Sequence, residues 1–108
     1  MTQANKPEQY RQGDIFFKEV SAVPSTSKRS NSPVLAYGEV TGHCHQLMDV
    51  DVFDRYDTED AIYVSSQQDM KVGHDEHDTI PLKGNKIYQV KRQREYDPLT
   101  SLTRQVAD

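Results

Sequence analysis

With 108 residues, 34% of them hydrophobic, and a formal charge of −4, the chain has material for one modest core and argues against a second domain. Its 13 basic and 17 acidic residues are interleaved over most of the length, which argues against a surface given over wholly to nucleic acid. No apolar run approaches the roughly 20 residues of a membrane helix, the start Met1 to Glu8 lacks the apolar centre of a signal peptide, and the single cysteine cannot close an internal disulfide. The expectation is a cytoplasmic protein with no membrane partner, with homo-oligomerisation left open.

Residues 1–11 are polar, aperiodic and interrupted by Pro7, which predicts a flexible arm ahead of a single β domain over 12–108. Asp14 to Val20 is rich in strand formers, with Ile15 and Phe17 on one face and Phe16 and Val20 on the other. The turn-rich stretch from Ser25 to Pro33 offers nothing to bury and predicts an exposed, mobile loop. Val34 to Val40 is a second strand, which Gly42 is placed to bulge. Further strands are predicted over Val50 to Arg55, Ala61 to Ser65, Met70 to Val72 and Thr79 to Leu82, with Tyr56 to Asp60 as a turn. Lys83, Gly84 and Asn85 form a tight turn, because glycine and asparagine tolerate positive φ.

A long last strand runs from Lys86 to Tyr96. Asp97 as N-cap and Pro98 at the first helical position then open a short helix, with Leu99, Leu102 and Val106 on its docking face. Many short strands with few residues between them imply an all-β fold, a small antiparallel β-barrel or sandwich with a short C-terminal helix.

The four histidines fall in two pairs. His43 and His45 flank Cys44 just after Gly42, and His74 and His77 follow Gly73. On an unbroken strand, residues two apart point the same way, so His43 and His45 share a face while Cys44 points to the other. Neutral imidazole is a good ligand for zinc, iron, nickel or copper, and a His-x-His strand beside a His-x-x-His turn can fill several positions around one ion. The expectation is a divalent transition metal, zinc or iron, held by His43, His45, His74, His77 and Asp49. Glu39 and Glu76 are the candidate catalytic bases. The alternatives at these residues are metal-free acid–base catalysis, a structural role, or ordinary surface histidines, and Cys44 is either a buried filler or a further ligand.

His43-x-His45, preceded by glycine and followed by Asp49, resembles the first metal motif of the cupins, small β-barrels in which His-x-His, a carboxylate and a later histidine hold a divalent metal. The resemblance covers about a quarter of the chain, with aspartate where cupins use glutamate, and implies a β-barrel metal site; independently of it, a bound ion with a position open to water predicts a metal-dependent hydrolase or lyase. Taken whole, with Gly38-Glu-Val-Thr-Gly-His-x-His and Arg92-Gln-Arg-Glu-Tyr-Asp-Pro98, the chain resembles a family of short bacterial or phage proteins, a likeness that implies no particular activity.

A second signal is the strip Arg92, Arg94 and Tyr96. Arginines two apart on a strand project together and can grip a phosphate or carboxylate, while a flanking tyrosine stacks on a base. This predicts an anion site for an unidentified small molecule, a phosphate-containing ligand or nucleic acid. The competing expectation is that the arginines pair with acids on a neighbouring strand. There is no Walker loop, Gly-x-Gly-x-x-Gly, Cys-x-x-Cys or Gly-x-Ser-x-Gly, so phosphate-cradling, dinucleotide and hydrolase-elbow chemistries find no support in the sequence.

Overall fold

A computed structural model describes residues 8–37 and 43–92. Ten strands follow in order: β1 (Gln9–Gln12), β2 (Ile15–Val20), β3 (Lys28–Arg29), β4 (Val34–Tyr37), β5 (Cys44–Met48), β6 (Asp54–Asp57), β7 (Ile62–Ser66), β8 (Met70–Gly73), β9 (Ile80–Leu82) and β10 (Lys86–Arg92). They form two antiparallel sheets, one ordered β1-β2-β10-β7-β6-β3 and the other β4-β5-β8-β9. The expected all-β class holds. Of the two expected architectures, the described residues form two separate sheets and not a closed barrel. The helix expected from Asp97 lies outside the described residues, as do Glu39, Arg94 and Tyr96. Among the described residues no helix is long and apolar enough to cross a membrane.

The core lies between the sheets. Ile15, Phe17, Tyr88 and Val90 from the six-stranded sheet meet Leu35, Leu47, Met70, Val72 and Leu82 from the other. Period-two alternation accounts for this: Ile15 and Phe17 are buried while Phe16 between them is exposed, with the Arg11 guanidinium over its ring. Each fully buried side chain of this size contributes about 1.5–3 kcal/mol, so the ten-residue cluster is the main source of stability.

Three expectations are corrected. The last residues of the predicted arm form β1, paired with β2 through a two-residue turn in which Gln12 faces Ile15. Polar composition hid this strand, because the residue that β1 buries most deeply is a glutamine. It is anchored just upstream, where Tyr88 and Tyr10 both donate hydrogen bonds to Glu8 Oε1.

The loop between Ser25 and Pro33 contains β3, which pairs with β6 through Lys28↔Asp57 and Arg29↔Tyr56. Finally, the strand expected over Val50 to Arg55 is displaced to Asp54–Asp57. Val52 is 73% exposed. Arg55, by contrast, is buried and donates to the carbonyls of Ser32 and Val34, both at 2.7 Å, and to Asp57 at 2.8 and 3.1 Å. A reading by hydrophobicity misplaces a strand whose inward residue is a fully bonded arginine.

Candidate functional site

Strand register sets the site. β5 pairs with β8 through Met48↔Lys71, Leu47↔Val72 and Gln46↔Gly73, and one further antiparallel step sets His45 opposite His74. Their ring centroids are 4.3 Å apart. His77 follows in the loop between β8 and β9, with its ring 4.6 Å from His74 and 6.2 Å from His45. His43, immediately before β5, meets His74 edge-on at 5.8 Å. The structure therefore brings all four imidazoles together.

The hairpin turn between β1 and β2 closes the site from the six-stranded sheet. Gly13 is the first of its two central residues and has φ 61°, a conformation that glycine adopts without steric cost. The His77 ring also lies close, since a Cβ at position 13 would stand 2.8 Å from His77 Nε2, the end of an exposed side chain that would have to move aside. On either side of Gly13 lie Gln12 and Asp14, and both reach toward His45.

Gln12 determines the protonation pattern of His45. Its Nε2 donates to the carbonyls of Val72 at 2.9 Å and Asp78 at 2.8 Å, so both amide hydrogens are committed and Oε1 must be an acceptor. His45 Nδ1 lies 2.7 Å from that oxygen. The flipped amide would set oxygen against two carbonyl oxygens, so the network assigns the proton of neutral His45 to Nδ1 and the lone pair to Nε2. Burial pushes the His45 pKa down to about 4, aided by His74, His77 and Arg92, while Asp14 acts in the opposite direction. At neutral pH the ring is thus uncharged, with Nε2 as an acceptor.

Asp14 Oδ1 is 4.0 Å from that Nε2. With His45 neutral this is no ion pair. It is an approach of two acceptors, which repel unless a donor or a cation lies between them. The other carboxylate oxygen, Oδ2, is 3.3 Å from Arg92 Nε, and Arg92 also donates to the carbonyl of Tyr37 at 2.7 Å. The guanidinium expected to grip an external anion therefore has an internal carboxylate as its partner.

The remaining candidates divide. Glu76 donates its backbone N–H to His74 Nδ1 at 3.0 Å, so His74 carries its proton on Nε2 and must give up this bond to offer Nδ1 to anything else. The Glu76 carboxylate is 3.7 Å from His43 Nδ1, and Asp75 is 3.5 Å from His43 Nε2. Asp49 is elsewhere. It follows the far end of β5, roughly 13 Å along the strand from His45, and its carboxylate is 3.4 Å from Lys71 Nζ.

Cys44 lies next to buried His45 on β5, and its thiol is 3.8 Å from Gln46 Oε1. With His43, His74 and Met48 it lines a cavity of about 280 Å3. Among the described residues, no group of three or more His, Cys, Asp or Glu side chains stands already arranged to hold a metal ion.

Sequence reasoning missed Gln12 and Asp14. The signal that could have found them is the Gln-Gly-Asp turn ahead of the first apolar strand. Two polar side chains flanking a hairpin glycine at a sheet edge are well placed to reach across to the other sheet.

A family model described as a domain of unknown function, DUF8820, matches residues 11–93. The match spans the residues that build the site, from Gln12 to Arg92. No curated protein and no solved structure matches the chain.

Proposed function

We propose, for a chain that belongs to the DUF8820 family of domains of unknown function, that the histidine cluster binds a divalent transition metal, with His45 Nε2 as the anchoring ligand. The observation that carries this reading is the hydrogen-bond relay through Gln12, which leaves Nε2 of a buried, neutral imidazole as an acceptor 4.0 Å from a carboxylate oxygen. Metal-ligating histidines characteristically donate the other ring N–H to an oxygen that fixes the tautomer, and Gln12 Oε1 is such an oxygen. His77 and His43 supply further nitrogens by rotation about their side chains, and His74 does so after releasing Glu76. Zinc or iron suits a set of imidazoles with a carboxylate. With a coordination position open to water, such an ion would lower the pKa of that water toward neutrality. A hydrolytic or lyase-type reaction is the chemistry this would support, with Glu76 as the proton acceptor.

Elemental analysis of protein purified without a histidine tag tests the proposal. The expected result is near-stoichiometric zinc or iron in the parent and its loss in His45→Gln and His77→Gln. Traces of metal in the parent, or equal metal in all three, would overturn it.

A further inference from the structure

We infer that Asp14, at the tip of the β1–β2 turn, is the carboxylate ligand of this site. The inference rests on the metal reading above and names a residue on a different strand pair from any carboxylate the sequence singles out.

Three observations converge on Asp14. Its Oδ1 is 4.0 Å from Nε2 of His45, whose tautomer the Gln12 relay fixes. In a tetrahedral zinc site with bonds of about 2.0–2.2 Å, two ligand atoms sit roughly 3.4 Å apart. A side-chain rotation of about half an ångström therefore brings the pair into range of one ion. Next, the two oxygens of Asp14 face different neighbours, since Oδ2 is directed to Arg92 Nε at 3.3 Å. That division suits a carboxylate that binds a metal through one oxygen while a charged donor holds the other. Lastly, the preceding residue, Gly13, packs against the His77 ring. The turn that presents Asp14 thus also lies against the His77 imidazole.

The other acids do not meet these conditions. Asp49 is engaged with Lys71 beyond the far end of β5. Asp75 and Glu76 approach His43, not the lone pair of His45. Where two of the four imidazoles join Asp14, positions remain for water or substrate, and the nitrogen and oxygen donors select a divalent ion such as zinc or iron over the monovalent copper that thiolate and thioether ligands prefer. Arg92 becomes a positioning residue: its guanidinium holds the ligand carboxylate.

Calorimetric titration of the metal-free full chain with zinc at pH 7 tests this, using the parent, Asp14→Asn, Asp14→Ser, Asp49→Asn and Arg92→Gln. Asp14 is more than half exposed, so both of its variants keep the fold, which circular dichroism checks. The expected result is zinc affinity roughly 10–100-fold lower in both Asp14 variants, about tenfold lower in Arg92→Gln, and unchanged in Asp49→Asn. Tight binding by the parent with unchanged affinity in the Asp14 variants would overturn the role of Asp14 and leave the metal reading standing. No zinc binding by the parent would overturn both.

Discussion

Gln12 Oε1 and His45 Nδ1 are 2.7 Å apart, and this contact joins the two sheets at the end of the molecule where the histidines gather. Gln12 is 2% exposed and His45 3%. The glutamine amide saturates itself on β8 and the loop that follows, and offers its oxygen to β5. One buried side chain thereby stabilises the sandwich and sets which imidazole nitrogen is left as an acceptor.

Replacing Gln12 with leucine tests both roles at once. The variant strands two carbonyls and the His45 N–H, so equilibrium urea unfolding is expected to show a loss of about 2–4 kcal/mol. Zinc affinity should fall roughly 10–100-fold, because His45 is then free to adopt the other tautomer. Loss of stability with full metal affinity would separate Gln12 from the site.

Stability of the metal-free protein should depend on pH through His45. Its folded pKa, about 4, is below its ordinary value of 6.5, so between those values the unfolded chain binds more protons than the folded one. The stabilisation is whole above pH 6.5, is lost as pH falls toward 4, and amounts to roughly 3 kcal/mol across that window. Denaturant midpoints from pH 7.5 to 4 should show this slope in the parent and a flatter one in His45→Gln. Equal slopes would mean that His45 is not held neutral.

The histidine pairs were legible because spacing alone marks them, and pairing of β5 with β8 then carries one pair to the other. Gln12 and Asp14 were not legible. Their roles come from a hairpin that crosses to the second sheet: the Gln-Gly-Asp turn signals the hairpin, but neither hydrophobic period nor residue type signals where it will land. Similarly, Ile15, Phe17, Tyr88 and Val90 could be assigned to faces by alternation, whereas β6 could not, since its inward residue is Arg55.

Arg55 offers a check on that part of the fold. Arg55→Ala leaves the carbonyls of Ser32 and Val34 and the carboxylate of Asp57 without this donor, and the expected cost is about 2–3 kcal/mol by urea unfolding. A change under half a kilocalorie would contradict a buried arginine tying β6 to the segment before β4.

Gly13→Ala tests the turn. A β-carbon at φ 61° costs about 1–2 kcal/mol, and it must displace the His77 ring, which would otherwise be 2.8 Å away. A lower melting temperature together with weaker zinc binding is expected. If zinc affinity is retained in a destabilised variant, His77 does not take part in the site.

The central claim concerns one atom, His45 Nε2. Long-range nitrogen–proton correlation spectra of protein labelled with 15N-histidine, recorded at pH 7 before and after one equivalent of zinc, observe it directly. The account predicts that His45 begins with its proton on Nδ1 and a bare Nε2, and that zinc shifts Nε2 to the metal-bound range while Nδ1 stays protonated. A proton on Nε2 in the metal-free protein, or an Nε2 resonance that zinc leaves in place, would contradict it.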